Sequence, residues 1–390
     1  MTETNPSPAL SIPGDFRFGQ ALVTPDLVPS LGPLAAFAGT FTGSGFNTIF
    51  RPNLGSPTGG FPTAPVGPND NVLELNLTSE TLSFSSSLGS VPNRGEVQPD
   101  IFLNGVPYVQ AITDVTIPAA PVGIHFEPGL WMAVPPTTTP GEGPTLVRMA
   151  SIPHGTTICA QGTSQTFAGP PTIPPVSITP AGVPPFPSQT ALNMNTERIP
   201  QDLTSFIAAG TINQGILDDP NTVLRHAIAG QNITSTTAIS ISTDPAGPLF
   251  GGGTDNIAFL LGEATAAQPN AQSASMTATF WIETVEHFIL VPPVNPGRPL
   301  TFPAEIADDG RPVPTFLIDP PIPVTEARRI IVTSTQIQYS QTVILNFNGL
   351  AWPHVSVATL VPSAPVTIPP IVWAALLKEE TQRRRPAAAS

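Results

Sequence analysis

Charge is what this chain has least of. Only 11% of its 390 residues are Asp, Glu, Lys or Arg, under half the share of an ordinary soluble domain. The balance is acidic, with a net charge of −13, which argues against nucleic acid as a partner, because phosphate backbones need a basic face. Cysteine is nearly absent. Cys159 stands alone, so no intrachain disulfide can form; between Ile158 and Ala160, without a basic neighbour in sequence, it reads as a buried small hydrophobe. No apolar run approaches the roughly 18 residues a membrane helix needs. The opening Met1-Thr2-Glu3-Thr4-Asn5-Pro6 has neither a basic n-region nor an apolar h-region. The expected setting is therefore the cytoplasm, with no membrane partner. The sequons at Asn76 and Asn232 then read as chance matches. The one cationic run, Arg383-Arg384-Arg385, reads as a frayed, solvated terminus rather than an interaction tail.

What replaces the missing charge is 51 Pro, 32 Gly and many Ser and Thr. Proline lacks an amide donor and β-branched residues lose rotamer freedom in a helix, so the mixture favours short strands and stiff loops. Alternation and β-propensity give about ten candidate strands, near 41–51, 71–77, 80–87, 121–134, 145–152, 156–161, 232–243, 255–262, 273–291 and 328–361. The last divides in two at the hairpin signal Asn348-Gly349. A short apolar helix or turn is expected over Leu31–Phe37, after an irregular arm at 1–30. Residues 168–188 read as an extended proline-rich insertion. Residues 200–230 are the best helical stretch, with Asp219-Pro220 as N-cap and N1, a stripe of Val223, Leu224, Ala227 and Ile228, and Gly230 as the stop. Gly251-Gly252-Gly253 reads as a hairpin tip, and 292–324 as a proline-rich loop.

These elements predict an all-β fold: an antiparallel up-and-down β-barrel of about ten strands, spanning 31–362, with insertions at about 165–230 and 292–324 and a C-terminal tail over 363–390. Closure removes the exposed edges of so strand-rich a chain, and a barrel of this size can hold one ligand.

Four segments in order resemble the nitrobindin family of haem-binding β-barrels. They are Leu31-Gly32-Pro33-Leu34 with Gly39-Thr40-Phe41, where Phe41 replaces the family's Trp; the strand His125-Phe126-Glu127-Pro128-Gly129-Leu130-Trp131; the strand from Thr145 that ends in Pro153-His154-Gly155; and Trp352-Pro353-His354-Val355-Ser356-Val357-Ala358 near the C-terminus. The family is far shorter, and about half of this chain has no counterpart in it. The resemblance implies haem b, with His354 on the iron, His125 as a second pocket histidine, and Thr40, Phe41, Trp131 and Ser356 around the cofactor. It also implies chemistry on nitric oxide, peroxynitrite or a related small oxidant, as in a peroxynitrite isomerase.

Read from the residues alone, His354, Ser356 and Ala358 share one face of a strand, with small residues leaving room beside the ring. The other reading is a histidine that caps the barrel and hydrogen-bonds a carbonyl. His125 could meet a distal ligand or simply satisfy Glu127. His154 is expected exposed in its turn, His226 solvated, and His287 in a surface ion pair with Glu283 or Glu286. No cluster has zinc or calcium spacing, and no nucleophile elbow, phosphate loop or Cys-x-x-Cys occurs. Three further functions stay open: a haem-free carrier of an apolar small molecule, a haem-dependent peroxidase or biosynthetic enzyme, and an interaction protein that works through its proline loops around a dry, filled barrel. A homo-oligomer is left open.

Overall fold

In a computed structural model, the described residues are 28–52, 71–180, 198–199, 202–244, 251–262, 269–305, 310–347 and 350–383. Ten strands, numbered here in chain order, make the body: β1 (Gly39–Pro52), β2 (Asn71–Phe84), β3 (Ile101–Asp114), β4 (Val122–Val134), β5 (Thr145–Ile152), β6 (Thr156–Ala168), β7 (Asn232–Ser242), β8 (Gln272–Val291), β9 (Arg328–Phe347) and β10 (Leu350–Pro362). Each pairs antiparallel with its neighbours in sequence. β1 pairs with β10, from Phe41↔Pro362 to Thr48↔Val355, and closes the ring. The result is the expected up-and-down barrel.

The strand count agrees with the sequence, but three segments differ. The segments 71–77 and 80–87 are one strand, β2. Its polar middle, Thr78 to Glu80, looked like a turn because inward positions were expected to be apolar; Thr78 and Glu80 are buried instead. β3 went unread because Gly105 and Pro107 break its alternation, and proline ordinarily argues against a strand within a sheet. Its amide-free position is accommodated beside β4, and the Pro107 carbonyl accepts the Ser85 amide at 2.9 Å. Conversely, 255–262 is no barrel strand. It holds a short strand, Gly253–Asn256, laid against β6, and one helical turn, Ala258–Leu261. Gly251, Gly252 and Gly253, all at positive φ, lead into that strand rather than forming a hairpin tip. Asn348 and Gly349 lie outside the described residues, as do Arg384, Arg385 and the arm before residue 28.

Alternation sorts the strands into an inner and an outer set. One end of the interior is an apolar plug, including Phe41, Phe84, Trp131, Phe280 and Leu360, closed below by Leu34 and Phe37 of the 3₁₀ turn Gly32–Ala36. Outside, the 200–230 region forms three short helices, α1 (Thr204–Ala209), α2 (Gln214–Asp218) and α3 (Thr222–Ala227), not one. Leu217 and Leu224 pack on the outward residues Leu73, Leu75, Val355 and Val357. Asp219 does not cap α3, whose N-cap is Asn221. Its carboxylate accepts the Val176 and Asn221 amides and pairs with Arg225.

A second correction concerns the C-terminal side. The loop over 292–324 carries the strands Leu300–Pro303 and Thr315–Ile318, which join Val366–Thr367 in a three-stranded sheet. The expected tail is a helix, α4 (Pro370–Arg383). Trp373 and Leu376 bury against Phe316, Ile330 and the projecting ends of β8 and β9. His287 sits in this satellite core, not in a surface ion pair. Its ring meets Phe316 edge-on at 5.4 Å, its Nε2 lies 2.8 Å from Ser334 Oγ, and burial lowers its pKa to about 4. Cys159 is half-buried rather than buried, with its thiol pushed up by burial.

Trp373→Ala should therefore cost about 3–5 kcal/mol, as for a large aromatic removed from a core. Denaturant unfolding would show it, and a loss within a few tenths would mean that the helix only rests on the barrel.

Candidate functional site

Above the apolar plug the barrel interior turns polar. The centre of that region is Glu127, on β4 and wholly buried, facing Arg148 on β5 with Nη2 2.5 Å from Oε1. Tyr108 donates its hydroxyl to the same carboxylate oxygen and accepts from Arg148 Nε at 2.8 Å. Arg148 also reaches Gln341 Oε1 at 2.6 Å and lies over the rings of Phe280 and Trp131, at 5.3 and 6.0 Å. The Tyr108 ring fits because position 129 is glycine: a Cβ there would stand 2.4 Å from the ring. Burial alone would raise the Glu127 pKa, but the Arg148 charge and the hydrogen bonds from His125 and Tyr108 bring it down to about 2. The pair is ionised and internally neutral.

A second carboxyl, Glu80 on β2, is treated differently. Burial raises its pKa against the hydrogen bonds from Tyr339, Thr78 and Gln110. Tyr339 donates to it at 2.7 Å and Gln110 bridges both groups. The chain's two tyrosines thus both serve as interior donors to carboxylates.

Histidines occupy the upper end of this polar layer. His125, on the inner face of β4, donates from Nε2 to Glu127 at 3.2 Å. His154, exposed in its turn as expected, donates to the Ile124 carbonyl at 3.1 Å, and its ring centre lies 6.0 Å from that of His125. His354, on β10, sits deep but keeps part of its ring open. Burial lowers its pKa to about 3, helped by the nearby His125 and His154. The ring is neutral at physiological pH. Asn47 Nδ2 donates to its Nε2 at 2.8 Å and to Ser356 Oγ at 2.8 Å, so the Nε2 lone pair is oriented and the proton sits on Nδ1. Asn47 is steadied in turn by Asn76.

The sequence-derived site residues separate into three places. His354, Ser356 and His125 face the polar layer. Phe41 and Trp131 belong to the apolar plug beneath it. Thr40 points outward, with its hydroxyl 3.0 Å from Ser83. The room expected beside His354 is partly closed, because Gly45, Ala358 and Thr78 pack together there. His226 is exposed on α3. Sequence reading missed Arg148, Tyr108, Glu80 and Asn47. A lone Arg at an inward position of the apolar run Thr145–Ile152 was the available signal, since an inward cation requires a buried counter-charge.

A ferric haem can be tested against this arrangement through its donor set. A metal needs a neutral imidazole with a free lone pair and a partner that orients the ring. His354 is neutral, but its Nε2 lone pair already accepts from Asn47, so that side-chain amide must turn away before a metal could take the nitrogen. The donor chemistry fits. The filled plug confines a macrocycle to the mouth, on the side of His125 and His154. Among the described residues no group of three His, Cys, Asp or Glu is arranged as a metal site by itself.

No family model and no curated protein matches this chain. Among solved structures it is similar to one titled "Crystal Structure of Rv2717c from M. tuberculosis", with 11% identity over 87% of this chain and all of that one, at a TM-score of 0.33. The likeness is too distant to carry any inference.

Two outcomes follow from the geometry. Arg148→Met should cost about 3–5 kcal/mol, because it strands a buried carboxylate, and adding Glu127→Gln should restore much of the loss. Chemical denaturation of both variants checks this, and equal losses would mean that the pair is not coupled.

The pH dependence has a defined sign. An unfolded histidine binds a proton near pH 6.5, whereas folded His354 stays neutral down to about pH 3. Its contribution is complete above about pH 6.5 and is lost as the pH falls from there toward its folded value. Glu127, at about 2 against an ordinary 4.5, keeps its contribution until the pH drops below its unfolded value. Urea midpoints should therefore fall from about pH 7 to about pH 5 in the wild type and fall less in His354→Gln. Identical slopes would mean that the folded ring titrates normally.

Proposed function

We propose that this barrel binds ferric haem at its histidine-lined mouth, with His354 as axial ligand, and acts on a small oxidant or diatomic ligand. One observation carries the reading. A neutral imidazole stands on the inner face of β10, its Nε2 lone pair accepting from Asn47, near enough to two more histidines to feel their charge. Nitric oxide and peroxynitrite are the ligands suggested by the sequence resemblance.

Bound haem would supply a Lewis-acidic, redox-active iron. The chain's own residues do the rest. His354 would hold the group through Nε2 once the Asn47 amide gave up its hydrogen bond there. Glu127 holds His125 by one ring nitrogen and so fixes the direction of the other. Arg148 keeps that carboxylate ionised, so the anchor of His125 does not soften near neutral pH. The apolar plug denies the site an opening through the barrel floor. A haem-free carrier of an apolar molecule needs apolar volume, whereas here the inward apolar residues are packed against one another.

Titration of the purified protein with ferric haem, followed by absorption, tests the proposal. The wild type should take up one equivalent with a shifted Soret band. His354→Gln should lose the shifted band while keeping a wild-type far-UV circular dichroism spectrum. Failure of the wild type to bind, or an unchanged spectrum in the variant, would overturn the assignment.

A further inference from the structure

The outer wall carries a second feature, on the opposite side of the sheet from the histidines. Across β6, β7, β8 and β9 the register aligns Thr163, Ser240, Thr279 and Ser340 in one row. The next outward row is Gln161, Ser242, Thr277 and Thr342. Neighbouring strands stand about 4.8 Å apart, so these side chains form a grid of hydrogen-bonding groups without a charge. On an open wall such a grid would be ordinary solvated surface. Here one side of it is roofed.

The chain leaving β6 arches over the grid and makes a crevice of about 430 Å³, roofed by Pro174, Pro175 and Val176. That volume lies within the range of small-molecule sites. The roof is tied down at three points by the segment 219–225. Asn221 Nδ2 donates to the Pro174 carbonyl at 2.7 Å, Arg225 to the Ile173 carbonyl at 3.1 Å, and the Val176 amide to Asp219 at 3.0 Å. Trp281 lines the inner end. Asn221 also lines the crevice; the residue is only 2% exposed, and its Oδ1 has no hydrogen-bond partner among the described residues. A buried amide oxygen without a donor is costly to maintain. The residue lines the crevice, so its side chain is a candidate contact for a ligand.

We propose that this crevice binds a neutral polyhydroxylated molecule, of the size of a mono- or disaccharide. The lining contains no Asp, Glu, Lys, Arg or His, so nothing there compensates an ionic ligand, and burying an unpaired charge would be strongly unfavourable. The hydroxyl and amide groups can each donate or accept, as a polyol requires, while the prolines, Val176 and Trp281 offer apolar surface to the carbon faces of a sugar ring. Because the roof is already fixed by hydrogen bonds, little ordering cost falls on binding. The site is independent of haem, and either can fail alone.

The test is saturation-transfer NMR on the full chain with D-glucose, D-galactose, D-mannose, D-xylose, maltose and cellobiose, with gluconate as a charged control. At least one neutral sugar should bind saturably and gluconate should not. The Thr279→Val, Ser340→Val double variant should bind about tenfold or more weakly, the loss expected for two neutral hydrogen bonds. Thr157→Val, exposed on the outer wall but outside the crevice, should bind as the wild type does. No saturable binding by any of the six sugars, tighter binding of gluconate, or an equal loss in Thr157→Val would overturn the proposal.

Discussion

A sheet with no free edge sends every second residue of ten strands into one shared interior, and the rest of the structure answers to that constraint. The register of β1 on β10 and of β2 on β3 fixes which residues these are. Too many inward positions converge for all of them to be apolar and still leave a chemical site. The interior is therefore layered. Aromatic and aliphatic side chains fill one end, charged and amide groups the middle, and histidines the mouth.

The middle layer rests on Glu127 and Arg148. Taking two charges out of water is expensive, and their attraction repays it only when the remaining hydrogen-bonding groups are also satisfied. Tyr108, His125 and Gln341 satisfy them. The pair gains little net stability over an apolar core. What it provides is direction: it pins β4 to β5 at one height and fixes the nitrogen that His125 presents upward. Glu80, which lacks a cation, is pushed the other way by burial. The two carboxyls differ because one has a guanidinium beside it and the other has only neutral donors.

Much of the fold was legible because alternation and the pairing of successive strands are local in sequence. β1, β4, β5, β8 and β10 announce themselves by period-two patterns bounded by turns. β3 did not, since Pro107 and Gly105 contradict strand propensity and only the flanking β2 and β4 make the position tolerable. The polar inward residues of β2 misled for a related reason: Thr78 and Glu80 are inward because a polar layer exists, and that layer is built from strands far apart in the chain. The satellite core was illegible for the same cause, as Trp373 finds Phe316 and Ile330 only through tertiary contact. At the site, the positions of His354 and His125 could be read from motif and parity. The Asn47 amide and the Arg148 guanidinium could not, because nothing near either residue in sequence names its partner.

The mouth and the outer crevice share one property: each is a preformed surface whose polar groups are held by the fold rather than by solvent. For the mouth, the account rests on where a metal would sit. A crystal structure of the protein grown with ferric haem, with iron located by its anomalous scattering, decides this most directly. The account predicts iron at bonding distance from His354 Nε2, with Asn47 turned away from the ring. Iron bound to His125 or His154 instead, or no ordered iron inside the barrel, would contradict it.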